Sequence, residues 1–260
     1  MRIMTFNIRF ENDRDGQNAW AYRRDLVVRI IDRYKPDIVG TQEGQWNQLL
    51  YLRDNLPAYL LNAPNRTVDS DSQYPTLFAR RENFEIIDGG EFWLSKTPEI
   101  HRSKDWDSAF PRMINHAEVL VRKSGKRFRA AVTHLDHKGA EARYQQAEII
   151  AAWVKEQREP VVLMGDFNDV PGSRVHQLLK SEEIGLQDTW QVLDREQGVT
   201  TFTHHGFTGI PQDGRIDWIL VSRHVRVLDA VVIHDHFNGC YPSDHFPYMV
   251  DLDFMRQGQP

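Results

Sequence analysis

The chain is almost free of cysteine, since Cys240 is the single one among its 260 residues. An internal disulfide and a thiolate metal cluster are therefore excluded. No apolar run approaches the roughly 20 residues that a membrane-spanning helix needs, and residues 1–10 lack the apolar core of a signal peptide. These absences predict a protein without a membrane anchor, and the cytoplasm is the expected compartment.

A dense basic segment is also missing, and the formal net charge is −5. Proteins that hold duplex nucleic acid by its phosphates usually present a basic surface, because Lys and Arg replace the counterions. The charge thus disfavours tight duplex binding. It does not exclude a phosphorylated small molecule or a short single-stranded nucleic acid as substrate. No feature of the sequence indicates a protein partner.

Large apolar side chains are abundant: 40% of the residues are hydrophobic, with 7 Trp, 8 Tyr and 13 Phe. This composition supplies a sizeable core and is typical of a globular protein. There is no internal repeat, low-complexity tract or linker in the sequence. Because sandwiches of this length often form one domain, we expect a single domain over residues 1–260.

Hydrophobic periodicity predicts many strands and a few helices. Apolar residues at i, i+3 and i+4 predict a helix at 20–34. Strands and helices in this proportion favour two packed sheets flanked by helices. Two long polar loops, 62–75 and 95–114, are expected to determine specificity. Strands are predicted at 2–9, 37–41, 76–80, 84–93, 116–122, 127–134, 161–164, 200–203, 216–221, 226–234 and 247–252, and further helices at 45–55, 140–157 and 173–180.

Polar residues stand where several of these apolar strands leave the core. Each has an ordinary explanation on its own, such as a turn residue or a helix-terminal carboxylate. Their joint occurrence indicates a site, because a rigid scaffold commonly positions functional groups on the loops that follow its strands. The residues are Asn7, Glu43, His134, Asp166, Asn168, Asp217, Asp244 and His245.

Six segments resemble, in order, the motifs of the endonuclease/exonuclease/phosphatase superfamily. The resemblance extends from residue 3 to residue 252. Within the superfamily, the sequence looks most like the compact bacterial members near the deadenylase and nocturnin branch. The resemblance implies a DNase I-like α/β fold, a four-layer sandwich of two packed, mainly antiparallel β-sheets flanked by helices. The segments are Thr5-Phe6-Asn7, Thr41-Gln42-Glu43, Thr133-His134-Leu135, Gly165-Asp166-Phe167-Asn168, Arg215 to Leu220 and Ser243 to Pro247.

The resemblance also implies a metal site. Mg²⁺ takes oxygen ligands and keeps several waters, so one or two carboxylates suffice to hold it. Glu43 is the first candidate ligand of a Mg²⁺ (or Mn²⁺) ion, and Asp244 and Asn7 would complete the site. Such an ion would polarise a phosphoryl oxygen and neutralise charge on the leaving oxygen.

Five catalytic residues follow from the same resemblance: His134, Asp166, Asn168, Asp217 and His245. His245 would contact the phosphate while Asp217 holds its other ring nitrogen, as in the triad logic. Asp166 and Asn168 would orient the attacking water. His134 would donate a hydrogen bond to the equatorial oxygens. Whether His245 or Asp166 is the general base stays open at this point.

Five further residues are candidates for substrate binding: Arg112, Trp106, Glu91, Arg143 and His205. Arg112 would clamp a phosphate or form a surface ion pair, and Trp106 would stack on a ring or pack its loop. Glu91 would orient His134 or remain an exposed strand carboxylate. Arg143 would reach phosphate or only decorate its helix, and His205 would line the pocket or serve as a turn residue.

The expected function is divalent-metal-dependent hydrolysis, in which water attacks a phosphodiester of a nucleotide or of a short single-stranded nucleic acid. The alternative is a phosphatase for a small sugar, inositol or nucleotide monoester. A third possibility is a binding protein that kept the fold and lost catalysis. It is disfavoured because all the matched positions carry chemically competent residues.

Overall fold

The computed structural model describes residues 1–254, which form twelve strands and four α-helices. The strands are β1 (Arg2–Asn7), β2 (Ile38–Gln42), β3 (Tyr59–Asn62), β4 (Thr76–Arg80), β5 (Phe84–Trp93), β6 (Met113–Val121), β7 (Arg127–His134), β8 (Val161–Asp166), β9 (Leu186–Asp188), β10 (Asp217–Ser222), β11 (Val225–Val232) and β12 (Tyr248–Phe254). The helices are α1 (Trp20–Tyr34), α2 (Trp46–Asn55), α3 (Ala140–Glu156) and α4 (Arg174–Leu179).

The strands form two six-stranded sheets. The first has the order β11-β12-β1-β2-β4-β3, and the second has the order β5-β6-β7-β8-β10-β9. Each sheet contains one parallel pair, β1 with β2 and β7 with β8, while the other neighbours are antiparallel. The prediction of two packed, mainly antiparallel sheets is therefore confirmed.

Alternation along the strands produces four layers, because successive side chains of a strand point to opposite faces of the sheet. In β1, Ile3 packs between the two sheets, whereas Met4 and Phe6 belong to the cluster formed with α1 and α2. In β8, Val162 faces the first sheet and Leu163 packs with α3 and α4. The order of layers is helices, sheet, sheet, helices.

The two sheets approach each other closely at Gly40 of β2. A Cβ atom at Gly40 would lie 2.6 Å from Met164 Sδ and 2.9 Å from Val132 Cγ2, both on the second sheet. These distances are too short for an ordinary contact, so only glycine allows this spacing. The close approach lies two strand positions before the end of β2, near the edge of the sheets that carries the polar residues.

The structure differs from the predicted elements in three places. The predicted strand at 200–203 is wrong, since Val199–Thr201 forms a short 3-10 helix. β3 and β9 were not predicted, because strands of four and three residues show too little alternation.

None of the helices in residues 1–254 combines the length and apolar composition needed to cross a membrane.

Candidate active site

Four strands bring a polar side chain to the same edge of the sandwich, on the face between the sheets. Asn7 ends β1 on the face of Ile3, and Asp166 ends β8 on the face of Val162. His134 ends β7, which is parallel to β8, and Asp217 begins β10, which is antiparallel to it. The register pairs His134 with Asp166 and Asp166 with Asp217.

Asn7 connects the two sheets at this edge. Its Nδ2 donates to Asp166 Oδ2 at 3.0 Å, across the gap between the sheets, and to Glu43 Oε1 at 3.2 Å. Its Oδ1 accepts from the backbone N–H of Arg9 at 3.0 Å, and the N–H of Phe10 donates to Glu43 Oε2 at 3.1 Å. The loop after β1 thus orients both side chains through two successive N–H groups.

His245 and Asp217 form a buried pair. Asp217 Oδ2 lies 2.9 Å from His245 Nδ1, and His245 Nε2 lies 3.8 Å from Asp166 Oδ2. Burial alone would lower the pKa of His245, but the neighbouring carboxylate of Asp217 outweighs it and raises the pKa to about 10. Burial and the charge of Asp217 raise the pKa of Asp166 to about 7. The imidazole is therefore cationic at neutral pH.

His134 and Asn168 lie on the other side of Asp166. Asn168 Nδ2 donates to His134 Nε2 at 2.9 Å and to the carbonyl of Leu135 at 2.9 Å, while its own N–H donates to Asp166 Oδ1 at 2.9 Å. Burial, together with the positive charges of Arg112 and His245, keeps the pKa of His134 well below its usual value. His134 is therefore neutral, and its Nε2 can accept a hydrogen bond from the Asn168 amide.

Asp244 reaches the edge from the segment before β12. Its Oδ1 accepts from Ser243 Oγ at 3.2 Å, and its Oδ2 lies 3.7 Å from Arg9 Nε. Ser243 Oγ also contacts the carbonyl of Asn7 at 2.7 Å. Asp244 and Glu43 therefore flank the same loop, the one that follows β1.

Glu43 and Asn168 have left-handed backbone conformations, with φ of 64° and 50°. Non-glycine residues rarely adopt this region, and such strain concentrates at functional sites. In both cases the conformation lies just after a strand. At both positions the backbone has left the strand, and the side chain forms hydrogen bonds within the polar cluster.

The oxygen atoms at this edge fit a hard cation. The Glu43 carboxylate accepts hydrogen bonds from Asn7 and Phe10, and within residues 1–254 no cationic side chain lies within 4.0 Å of it. Asp166, Asp217 and His245, all buried, also offer ligand atoms within 4.8 Å of one another. Asp217 Oδ2 already contacts His245 Nδ1, while Asp217 Oδ1 has no hydrogen-bond partner among the described residues and each Glu43 oxygen accepts one hydrogen bond.

Arg112 lies in the loop before β6, and its side chain is buried instead of forming a surface ion pair. Its Nη2 is 3.3 Å from His137 Nδ1 and its Nε is 3.8 Å from Asp136 Oδ2. The Nε atom is buried without a hydrogen-bond partner among the described residues. A buried donor without a partner fits a ligand oxygen, so Arg112 remains a candidate for phosphate binding.

Glu91 is placed differently from the prediction, whereas Trp106 is compatible with the predicted packing in its loop. Glu91 accepts from Arg66 at 2.6 Å and from Asn115 at 3.2 Å, and its side chain is only 13% exposed. The expectation that Glu91 orients His134 is therefore wrong, as is the exposed-carboxylate alternative. Trp106 is half-buried in its loop, with Lys96 Nζ 5.7 Å from the ring.

Arg143 and His205 contact the backbone around the site. Arg143 Nη1 donates to the carbonyl of Asp136 at 2.8 Å, and its Nε lies 3.5 Å from Asp169 Oδ2. His205 is fully buried, stacks on Phe246 at 3.9 Å, and donates its N–H to the carbonyl of Asp244 at 2.8 Å. His205 is thus a packing residue behind Asp244.

Sequence reasoning missed Arg9, Arg23 and Thr203. Arg9 approaches Asp244, as described, and Thr203 Oγ1 accepts from the N–H of Asp217 at 3.1 Å. Arg9 follows Asn7 by two positions, so its place after a strand could have signalled it. Arg23 stands inside a helix and gave no such signal.

A model of the Endonuclease/Exonuclease/phosphatase family matches residues 4–245, and the chain therefore belongs to this family. Members of the family hydrolyse phosphoesters and generally use a divalent metal ion. The sequence-based prediction of family and reaction class is confirmed.

Two solved structures from Bacteroides are similar over almost the whole chain. An endonuclease/exonuclease/phosphatase from Bacteroides vulgatus is 34% identical, with a TM-score of 0.90 and 98% of each chain covered. The mannosyl-6-phosphatase of Bacteroides thetaiotaomicron is 27% identical, with a TM-score of 0.88, and the match covers 98% of this chain and 100% of that one.

Human nocturnin is a more distant relative. Its catalytic domain is 22% identical, with a TM-score of 0.72, and the match covers 98% of this chain and 93% of that one. This likeness shows the fold alone. The chain spans 66% of the length of human nocturnin, to which it is 21% identical.

Proposed function

We propose that the chain hydrolyses a phosphoester with the help of a Mg²⁺ or Mn²⁺ ion held by Glu43, Asn7 and Asp244. The observation that carries the proposal is the convergence of both sheets on Asp166, whose Oδ2 accepts from Asn7 and lies 3.4 Å from His134 Nε2 and 3.8 Å from His245 Nε2. The bound ion would polarise a phosphoryl oxygen and neutralise charge on the leaving oxygen.

The protein groups around Asp166 would supply the rest of the chemistry. Asp217 occupies Nδ1 of His245, so Nε2 faces the same space as Asp166 Oδ2. A water molecule in that space would give its proton to Asp166, while the cationic His245 would contact the phosphate. Asn168, fixed by His134 and by the carbonyl of Leu135, would hold the water or a phosphate oxygen.

A cleft lined by residues close in sequence to Phe10 and Glu43 supports a small phosphate monoester as substrate. Its volume is about 980 Å³, and its lining includes Glu11 and Gln45, which are close in sequence to Phe10 and Glu43. Three carboxylates line it against one guanidinium, together with three amides and Trp46. This charge would repel the next phosphate of a strand, whereas amides and carboxylates hydrogen-bond sugar hydroxyls.

The similarity to a mannosyl-6-phosphatase supports the same class. The favoured substrate is therefore a monoester of an uncharged, polyhydroxylated alcohol, such as a sugar or inositol phosphate. The leaving alcohol would occupy the cleft, since its lining includes Gln45, which is close in sequence to the proposed metal ligand Glu43. The phosphate itself would lie over Asp166 and His245.

A nucleotide or short single strand is the second candidate, and Phe110 favours it. Its ring is 53% exposed and stacks on His137, with ring centroids 5.7 Å apart and an interplanar angle of 19°. Arg112 Nη2 lies 3.3 Å from His137 Nδ1, and its guanidinium carbon is 6.0 Å from the centroid of the Phe110 ring. An exposed aromatic face beside a phosphate-binding arginine is suited to stack a base.

The first experiment measures turnover of a dinucleotide, a hexose phosphate, an inositol phosphate and a nucleoside monophosphate, each with Mg²⁺, Mn²⁺ or a chelator. We expect metal-dependent release of phosphate from a monoester. Turnover of the dinucleotide alone would favour the second candidate. If none of the esters turns over with either metal, the result favours a binding protein of the same fold.

The variant Glu43→Ala tests the metal site. It should abolish metal-dependent turnover and leave the far-UV circular dichroism unchanged, because Glu43 lies in a loop and accepts only two hydrogen bonds among the described residues. Wild-type rates in a folded Glu43→Ala protein would remove Glu43 from the proposed site.

A further inference from the structure

Arg23 is a buried cation without a carboxylate partner. It lies on α1, its side chain is 2% exposed, and within residues 1–254 no acidic oxygen lies within 4.0 Å of its guanidinium. Burying a charge without a counterion is costly unless its donors are hydrogen-bonded. The surroundings of Arg23 must therefore supply several hydrogen-bond acceptors.

All the acceptors of Arg23 are backbone carbonyls. Nη2 donates to Arg9 O at 2.7 Å and, more weakly, to Phe10 O at 3.4 Å, and Nη1 donates to Ile8 O. Nε donates to the carbonyl of Asn18 at 2.8 Å. Three of these carbonyls belong to the loop that follows β1, so the guanidinium fixes that loop through its carbonyl groups.

The N–H atoms of the same peptide groups donate hydrogen bonds to the proposed metal ligands Asn7 and Glu43. The carbonyl of Ile8 shares its peptide group with the N–H of Arg9, which donates to Asn7 Oδ1. The carbonyl of Arg9 shares its peptide group with the N–H of Phe10, which donates to Glu43 Oε2. Since a trans peptide is planar, with N–H and C=O pointing in opposite directions, each group transmits orientation from Arg23 to a ligand.

A third contact extends the arrangement to the segment of Asp244. Arg23 Nη1 donates to the carbonyl of Pro242 at 3.1 Å. The next residue, Ser243, donates to the carbonyl of Asn7 and to Asp244 Oδ1. One guanidinium therefore joins the loop after β1 to the segment before β12.

We propose that Arg23 is the positioning residue of the metal site, whose fork fixes the two peptide groups that orient Asn7 and Glu43. The inference rests on the proposed function, because it takes Asn7, Glu43 and Asp244 as the ligands. Polarisation of a peptide group by a cation at its carbonyl also strengthens the hydrogen bond made by its N–H. Residues that orient metal ligands in this way commonly affect metal affinity about ten- to a hundredfold.

Lysine cannot replace arginine in this arrangement. A guanidinium presents several donors in a rigid plane, whereas an ammonium is a point charge on a flexible stem. Arg23→Lys keeps the positive charge but cannot bond the carbonyls of Ile8, Arg9 and Pro242 with the same geometry. Arg23→Met removes the charge as well, at a similar side-chain length.

The experiment titrates Mn²⁺ into the full-length protein by calorimetry, without substrate, for the wild type, Arg23→Lys, Arg23→Met and Glu43→Ala. We expect both Arg23 variants to bind Mn²⁺ about ten- to a hundredfold more weakly. KM for the ester at saturating Mn²⁺ should stay at the wild-type value. Tyr59→Phe is the control for lost stability, because it removes a buried hydrogen bond to the carbonyl of Pro36 and should leave Mn²⁺ affinity unchanged.

A folded Arg23→Lys protein with wild-type Mn²⁺ affinity would overturn the inference, and Glu43→Ala identifies which idea has failed. If Glu43→Ala abolishes Mn²⁺ binding while both Arg23 variants bind normally, the metal site stands and only the role of Arg23 is lost. If the wild type itself binds no Mn²⁺, both ideas fail.

A measurement on the wild type covers the case in which the Arg23 variants do not fold. Mg²⁺ should shift the Arg23 Nε–H resonance and the amide resonances of Arg9 and Phe10 with one common dissociation constant. A resonance of Arg23 that stays unchanged while those of Arg9 and Phe10 move would refute the coupling.

Discussion

Replacing Asp217 by asparagine removes one charge from the catalytic cluster and leaves the shape of the side chain almost unchanged. The Asp217 and His245 side chains are 1% and 7% exposed, and their bonded atoms are 2.9 Å apart. Asparagine can still accept the hydrogen bond from His245 Nδ1. The expected effect is therefore mainly electrostatic, namely the loss of the carboxylate that stabilises the cationic imidazole.

The size of the effect follows from the separation of the charges. Two unit charges about 4 Å apart interact by about 4 kcal/mol at an effective dielectric constant of about 20. Since about 1.4 kcal/mol corresponds to a factor of about ten, Asp217→Asn should disfavour the cationic imidazole about a thousandfold. At about pH 9, where the wild-type imidazole with its pKa of about 10 is still mostly cationic, kcat should therefore fall about a hundredfold. KM should change much less, because neither Asp217 nor His245 lines the cleft proposed for the leaving alcohol.

The assay measures kcat and KM at about pH 9 and saturating Mg²⁺ for the best ester of the panel. Asp213→Asn is a matched control, because Asp213 lies 2.9 Å from His204 Nδ1 but its side chain is 66% exposed. Exposed pairs contribute little, so the control should keep its rate. The reasoning is refuted if folded Asp217→Asn keeps more than about a tenth of wild-type kcat, or if the control loses as much.

Two further predictions concern stability and substrate class. Asp188 is fully buried between His176 and Arg215, at 2.8 and 2.6 Å, and Asp188→Asn should lower the free energy of unfolding by about 3–5 kcal/mol in urea titrations at pH 7. Burial alone would raise the pKa of Asp188, but the hydrogen bond from His176 and the charge of Arg215 hold it well below its usual value. The stabilisation is therefore present above about pH 4 and is lost as the pH falls towards the lowered pKa. A difference between wild type and variant that grows on acidification would contradict this sign. If nucleotides are the substrates, Phe110→Ala should weaken dinucleotide binding by about 1–3 kcal/mol, about five- to a hundredfold in KM, and leave KM for a hexose phosphate unchanged; equal effects on both would argue against base stacking.

Long elements with a clear period were predictable from sequence. The helix α1 was predicted at 20–34 and is found at Trp20–Tyr34, because its apolar residues follow one face and Pro36 prevents its continuation. β3 and β9 were missed because their place in a sheet depends on the neighbours they pair with. The segment 200–203 looked like a strand, yet its backbone turns in a 3-10 helix before the isolated bridges of His204.

The polar residues at the strand ends could be identified from sequence, but their contacts could not. The distance from Asn7 to Asp166 depends on how two sheets stack, and sequence periodicity carries no information about that. Glu91 illustrates the limit, because its partner Arg66 comes from the long loop after β3. Arg23 was invisible for a related reason, since an arginine in an amphipathic helix normally faces solvent.

The boundary between the two sheets passes through the middle of the proposed reaction centre, with Asn7 on one side and Asp166 on the other. Any sliding or widening of the sandwich would therefore move the metal-holding half away from the half that orients water, even with every reactive group intact. The close approach of the sheets at Gly40, where a Cβ atom would lie 2.6 Å from Met164 Sδ, would then set the spacing of the proposed centre as well as the packing of the core. Core positions that never meet substrate can in this way set the reaction rate.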